Sequence, residues 1–595
     1  MTMTSSQRVL PALVRKLLDV VDTIESTDFN VTELEMMDRA LQNASAKLRG
    51  FRNSMQPINR LPPELLACIF SETQLRLPSF LPLPSTGFHD YENCDWREWL
   101  NLLEVCRHWR GVVASSPELW SNVCSLADAP AFIRRSHGSE LTVYLGLRQF
   151  GFSSSLMNAL APHTSRFKEF HMRAKGSEDI LKHQIFSSPA PRLNSLLIEA
   201  EDQEEWNSVL PPIFCGNMPK LRQLALGYFT SWPKGYFHNL TSLCLYHQRA
   251  STLPTTTEFL DFLEFSPHIE ELALVRGGPI RPLGTDVAPL ADRLISLKRL
   301  EKLDLGDWPS ASIIARFLSH LSLSRKTAMY FWGNSFLDEE NVGALLPQDT
   351  SHLHNLKGIK EWFLIRQTEL PHPLGKLVSV ADSTLYMTGA FLPFQIPPSA
   401  ISRYRLSKVR FLRLRDDALQ FTRLRVSDWK ALLGLVPKVE SLSIYAMDAP
   451  HCTRAVISAL RPPKLFPPSL PTLDGVICPA LKTVEITEET ELPFLHVCSL
   501  SGERASCGAP EIHFRFFNDS LPGPRRRASP AAYESDSDSD LDYGYNVPDS
   551  GPYTQRVEYI IKKYEGRVIK GPSSWPTRAF LWNHYVALSR EFYMY

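Results

Sequence analysis

The sequence predicts an α/β chain in which two helical units precede a long run of short, repeated strands. Three observations carry this reading. Apolar residues recur every three or four positions up to Phe51, the rhythm of amphipathic helices. Between Ile58 and Val123, proline-led segments hold more aromatic surface than short helices can bury alone. From about Ala131 the pattern becomes apolar-x-x-apolar-x-apolar, repeated at intervals near 19 to 31 residues.

Length and composition bound the rest. A chain of 595 residues is too long for one core and divides into about two to four domains. Lys+Arg and Asp+Glu balance at 64 each, so no global field favours nucleic acid or an anionic membrane. The start of the chain lacks the apolar core of a signal peptide, and no apolar run is long enough to span a bilayer. The ten cysteines are scattered, without Cys-x-x-Cys pairing, and read as reduced thiols of a cytoplasmic or nuclear protein.

Residues 1–56 read as two helices. Leu10, Leu13, Leu17, Val20 and Ile24 line the first. Leu34, Met37, Leu41, Ala44, Leu48 and Phe51 line the second with heptad spacing. Thr32-x-x-Glu35 is a candidate capping box opening it. The pair could fold back as a hairpin or zip to a second copy as a homodimer.

Residues 57–126 form the second unit. Pro62 and Pro63 stand where a helix begins, since its first turn needs no backbone donor. Leu65 and Ile69, like Leu66 and Phe70, are four apart, so the helix carries two adjacent apolar stripes. A helix packing inside one domain needs one. Trp99, Leu102, Leu103, Cys106, Trp109 and Val113 fall on one broad face of a second helix, which ends at Ser115-Ser116 before Pro117. A partner is implied; the alternative is an ordinary helical subdomain whose tryptophans are core.

The blocks Leu61-Pro62-Pro63-Glu64-Leu65-Leu66 with Ile69-Phe70, Val105-Cys106-Arg107-His108-Trp109-Arg110 and Pro117-Glu118-Leu119-Trp120 resemble an F-box, in the manner of the fungal F-box proteins. Against the compact form, this chain has an insert, Gln74 to Asp95, rich in Pro and Phe. The resemblance implies docking onto the Skp-type adaptor of a cullin–RING (SCF-type) ubiquitin ligase through Leu61, Pro62, Leu65, Ile69, Phe70, Val105, Trp109 and Trp120. Glu64 and Cys106 would shape the module.

Residues 131–519 carry the repeated strands. The trios include Phe167/Phe170/Met172, Leu193/Leu196/Ile198, Leu221/Leu224/Leu226, Leu240/Leu243/Leu245, Ile269/Leu272/Leu274 and Leu300/Leu303/Leu305. They continue through Ile359/Trp362/Leu364, Val409/Leu412/Leu414, Val439/Leu442/Ile444 and Leu481/Val484/Ile486, with Met329–Phe331 and Leu385–Met387 filling two double-length gaps. This resembles leucine-rich repeats, which implies a solenoid with the strands on its concave side. Thr255 to Leu263 reads as the helix of one repeat. The usual asparagine after the last strand position is missing: Gly227 follows Leu226, and Gly306 follows Leu305. The solenoid is therefore expected to be irregular; a non-repeat α/β domain flanked by helices is the alternative.

Residues 520–552 combine Arg525-Arg526-Arg527 with Glu534-Ser535-Asp536-Ser537-Asp538-Ser539-Asp540. So little apolar surface cannot offset chain entropy, so a disordered loop is expected. Ser529, Ser535, Ser537 and Ser539 are candidate phosphorylation sites, and a plain solvated tether is the alternative. Residues 553–595 are rich in aromatics, such as Trp575, Trp582 and Tyr595, and read as a cap on the open end of the strands.

No phosphate-binding glycine loop, His-Glu-x-x-His or nucleophile elbow is present. Cys498, Cys507 and His513 lack the spacing of a structural zinc site. No enzyme, cofactor or metal is expected. Among Arg403, Arg405, Lys408, Arg410, Arg413 and Arg415, the alternation of Arg413 and Arg415 marks a candidate ligand face for an acidic or phosphorylated group; a solvated strand face explains them equally. The reading is a non-enzymatic receptor joining adaptor and protein substrate. A leucine-rich-repeat interaction scaffold unrelated to ubiquitin is the alternative.

Overall fold

The computed structural model describes residues 5–23, 30–74, 98–124, 129–145 and 154–517, the last with breaks at short connecting stretches. The loop and cap expected over 520–595, and the candidate sites Ser529, Ser535, Ser537 and Ser539, lie outside the described residues. So does nearly all of the insert at 74–95.

Two long helices come first, α1 (Ser5–Val21) and α2 (Val31–Ser54). The capping box that opens α2 is two residues earlier than the sequence suggests. Asn30 is the cap: its side chain accepts from the Glu33 backbone N–H, and the Glu33 carboxylate accepts from the Asn30 N–H. Asparagine suits this place because its short amide reaches the orphan N–H groups of the first turn. The apolar seam of α2 is not packed as a hairpin would pack it, since no residue of the helix is buried.

The helical module follows as α3 (Pro63–Glu72), α4 (Leu102–Val105) and α5 (Arg107–Ser115). Beyond it come α6 (Ala129–Arg135) and α7 (Ser154–Leu160), and then helices that alternate with strands. These are α8 (Thr256–Glu264), α9 (Ala311–Ser319), α10 (Val426–Gly434), α11 (Pro450–Leu460) and α12 (Phe494–Ser506). The segment read as a repeat helix is α8, opened by a capping box between Thr255 and Glu258.

The strands begin with β1 (Asn122–Cys124), β2 (Leu141–Leu145), β3 (Phe167–Ala174), β4 (Ser195–Ala200), β5 (Gln223–Gly227) and β6 (Ser242–Tyr246). Next are β7 (Glu271–Val275), β8 (Ile295–Leu297), β9 (Lys302–Gly306), β10 (Leu321–Leu323), β11 (Ala328–Trp332) and β12 (Glu361–Glu369). The last are β13 (His372–Ala381), β14 (Leu385–Gly389), β15 (Phe411–Asp416), β16 (Ser441–Ala446), β17 (Thr483–Thr487) and β18 (His513–Phe517). Sixteen of them form one sheet, ordered β1-β2-β3-β4-β5-β6-β7-β9-β11-β14-β13-β12-β15-β16-β17-β18, while β8 and β10 pair separately.

Register follows the apolar trios. Leu224, Leu243, Leu272, Leu303 and Met329 share one row across β5, β6, β7, β9 and β11. Leu226, Leu245, Leu274, Leu305 and Phe331 share the next. Both rows are buried in the main core, which runs on through Trp362, Leu412, Leu442 and Val484. In most trios the first residue sits before the strand, in a tight turn. Leu193, Leu221, Ile269, Leu300, Val409, Val439 and Leu481 each donate their N–H to the carbonyl three residues back.

One departure breaks the repetition. The double-length gap after Leu364 holds an antiparallel meander, β12-β13-β14, laid into the sheet in reverse, so that β14 pairs with β11 and β12 with β15. Parallel pairing resumes beyond it. Between the strands, Gln248 links two connections. This buried amide donates Nε2–H to the Phe229 carbonyl at 2.6 Å and accepts the Gly278 N–H at 3.0 Å. Gly277 must stay small, because a Cβ there would meet Gln248 Oε1 at 2.7 Å. Farther along, Arg504 on α12 is fully buried and donates to the carbonyls of Leu460, Ile477 and Cys478 at 2.8–3.1 Å, tying the end of α11 to the next turn.

Two predictions follow from these buried polar groups. Gln248→Leu leaves the Phe229 carbonyl and Gly278 N–H unsatisfied, and should lower unfolding stability by about 1–3 kcal/mol in a urea titration. His171 lies against Ser195 Oγ at 3.2 Å and edge-on to Tyr144 at 5.0 Å, and burial pulls its pKa down to about 4. The unfolded chain then binds the extra proton first, so stability falls as pH drops from about 6.5 towards 4. A His171→Phe variant should lose less stability than the native chain between pH 7 and 5 in parallel melts.

Candidate functional site

The site is built on α3. Pro62 caps the helix and Pro63 starts it, and the Pro62 carbonyl accepts from the N–H groups of Leu65 and Leu66. With the start set, the two stripes separate. Leu66 and Phe70 turn inward and are buried, while Leu65 and Ile69 stay 51% and 42% exposed on the adjacent face. Exposed apolar residues scattered singly need no explanation, but two in consecutive turns of one helix make a face.

Beneath them the module has its own core of Leu66, Phe70, Trp99, Val112, Val113, Leu119 and Trp120. The Phe70 and Trp109 rings meet at 4.8 Å, and Trp99 and Trp120 at 5.2 Å. Two indole N–H groups are held by hydrogen bonds: Trp120 Nε1 donates to the Val113 carbonyl at 2.9 Å, and Trp109 Nε1 to Asn59 Oδ1 at 2.5 Å. Asn59 in turn donates to the Asn53 carbonyl at 2.7 Å, which ties the module to the end of α2. Gln74 closes the other side, donating to the Leu119 carbonyl at 2.6 Å.

The second helical segment is not the continuous helix its periodicity suggests. Cys106 adopts an extended backbone, ending α4 and capping α5 with its sulfur on the Trp109 N–H. The break leaves Val105 53% exposed and turns Trp109 onto Phe70.

The residues expected to dock a partner therefore divide. Pro62, Leu65, Ile69 and Val105 are exposed, and Leu61 and Trp109 are partly buried. Phe70 and Trp120 lie in the interior, at 1% and 2% exposure, and serve the module's own packing. Phe132 on α6 adds a contact that periodicity did not single out, edge-on to Trp99 at 6.0 Å and Trp120 at 5.1 Å. Arg135 lies over the Trp120 ring at 4.2 Å. Asn59, Gln74 and Phe132 were missed because each acts on a residue 45 or more positions away, or across a unit boundary.

Residues 58–125 match the model of the F-box-like family. The chain carries an F-box-like domain. No curated protein matches the chain.

Away from this domain, the basic set around β15 is largely committed to the fold. Arg413 pairs with Glu361 at 2.9 Å and lies over the Phe363 ring at 5.0 Å. Arg403 donates to the Leu346 carbonyl, Arg405 to Thr350, and Arg410 stands 3.5 Å from Glu440. Arg415 takes its place in register between Ile365 and Tyr445. On the sheet face opposite the main core, Ala225, Cys244 and Ala273 share a row flanked by Tyr246, Val275 and Tyr330. Burial raises the Cys244 thiol far above its usual range and that of Cys478 to about 12, so neither is poised as a nucleophile. No group of three His, Cys, Asp or Glu among the described residues could hold a metal ion, and no described helix is long and apolar enough to cross a membrane.

Truncating the interior should destabilise the domain, and truncating the exposed stripe should not. Phe70→Ala should lower the melting temperature of the domain, in the range of about 3–5 kcal/mol for a core aromatic. Leu65→Ala should leave the melt within about 0.5 kcal/mol of native, as a surface change does.

Proposed function

We propose that the chain is a substrate-receptor subunit of an SCF-type cullin–RING ubiquitin ligase. The observation that carries the reading is the division of α3: one stripe is locked into the F-box-like core and the other, Leu65 with Ile69, is left in solvent. Such domains generally bind Skp-type adaptors, and the free stripe gives the adaptor an apolar surface to cover. Pro62, Val105 and the outer parts of Leu61 and Trp109 would complete the contact.

The remainder would act as an irregular leucine-rich-repeat solenoid that selects a protein substrate. The in-register parallel strands support this. Arg413, held by Glu361, would position an acidic group less readily than its sequence position suggests. The chain would do no chemistry itself; the transfer would belong to the ligase, in cytoplasm or nucleus. A leucine-rich-repeat scaffold without a ubiquitin role is the second reading, favoured by the extent of the sheet relative to the domain.

Co-purification with a Skp-type adaptor separates the two. The native chain should retain adaptor, and Leu65→Asp/Ile69→Asp should weaken retention by about 30-fold or more, as loss of an interface anchor of about 2 kcal/mol does, with circular dichroism unchanged. No adaptor on the native chain would leave the scaffold reading standing.

A further inference from the structure

Nothing in the described chain covers the apolar face of α2. Leu34, Met37, Leu41, Ala44, Leu48, Phe51 and Met55 alternate at spacings of three and four along it, the spacing that keeps a seam facing a partner helix. Yet no residue of this 24-residue helix is buried, and Phe51 and Met55 are 69% and 70% exposed. An isolated helix with such a seam draws most of its stability from packing, so an occupant is missing.

Charge says what the occupant is. Glu33, Glu35 and Asp38 lie in the first half of α2, where Arg39 stands 3.7 Å from Glu35 and leaves the half net acidic, and Lys47, Arg49 and Arg52 lie in the second. The chain's own α1 is a poor match in a hairpin. Its Asp19 and Asp22 would come beside Glu33 and Glu35, its Arg15 and Lys16 would fall beside Asp38 and Arg39, and Lys47, Arg49 and Arg52 would meet no acidic residue. Another α2 in parallel is no better. Residues five apart flank such a seam, so Glu33 would face Asp38 and Lys47 would face Arg52, once on each side. An antiparallel α2 lays each acidic half on a basic half, twice. It also stacks large side chains on one another, with Leu34 near Phe51 and Met37 near Leu48 of the second copy.

We propose that the chain forms a homodimer through antiparallel pairing of α2 with α2 of a second copy. The dimer places two F-box-like domains at opposite ends of one helical bar, because each domain is tied to the end of its α2 through Asn59 and Asn53. The inference does not rest on the adaptor reading.

Sedimentation of the full chain at micromolar concentration tests it. The expected mass is twice the 67.6 kDa of one chain. Leu41→Asp/Leu48→Asp should return it to one chain while circular dichroism of the remainder and any adaptor capture are retained, which separates failure here from failure of the ligase reading. Glu33→Lys/Glu35→Lys/Asp38→Lys makes α2 uniformly basic and should weaken self-association at least about tenfold at low salt. Adding Lys47→Glu/Arg49→Glu/Arg52→Glu to that variant should restore it. A native chain of single mass overturns the proposal, as does a dimer that survives the double aspartate variant. Charge-reversed and fully exchanged helices that associate equally would overturn the antiparallel order.

Discussion

The structure depends on register. Each parallel strand carries its apolar residues at the same two pleat positions, so one strand's leucines can be buried only where its neighbour's are. A slip of one residue between β6 and β7 would send Leu272 and Leu274 to the face now held by Ala273. Before most of the parallel strands a tight turn sets the phase: the leading apolar residue donates to the carbonyl three back, enters the core, and starts the strand in step. The sheet tolerates an antiparallel insertion because β12 re-enters with Trp362 and Leu364 opposite Leu412 and Leu414, on the buried rows.

The F-box-like domain is joined to this sheet by packing as well as by chain. Phe132 touches the domain core through Trp99 and Trp120 and also packs against the main core. Trp120 is followed at once by β1, whose Val123 is buried at the first edge of the sheet. A partner seated on Leu65 and Ile69 is thereby held at a set position relative to the strands.

Buried polar groups mark where the repeated plan needed local solutions. Gln248 bridges the Phe229 carbonyl and the Gly278 N–H, Arg504 satisfies three carbonyls at the end of α11, and Asn59 holds an indole N–H. Each is a long-range bond made by a residue ordinary in its own segment. Burial makes their partners costly to leave unpaired.

The sequence by itself determined the strands that carry the apolar trios, their rows, the α8 helix, and the proline-led start of α3 with its two stripes. These are properties of spacing and backbone chemistry, which act over a few residues. Only the tertiary structure decided which stripe of α3 faces inward, because that depends on Trp99, Trp109 and Trp120 arriving from distant segments. It also decided that Cys106 breaks a helix whose periodicity runs on, that the β12–β14 meander enters in reverse, and that Arg413 is held by Glu361. For the α3 stripe and for Arg413 the deciding partner lies far away along the chain, where local pattern carries no information.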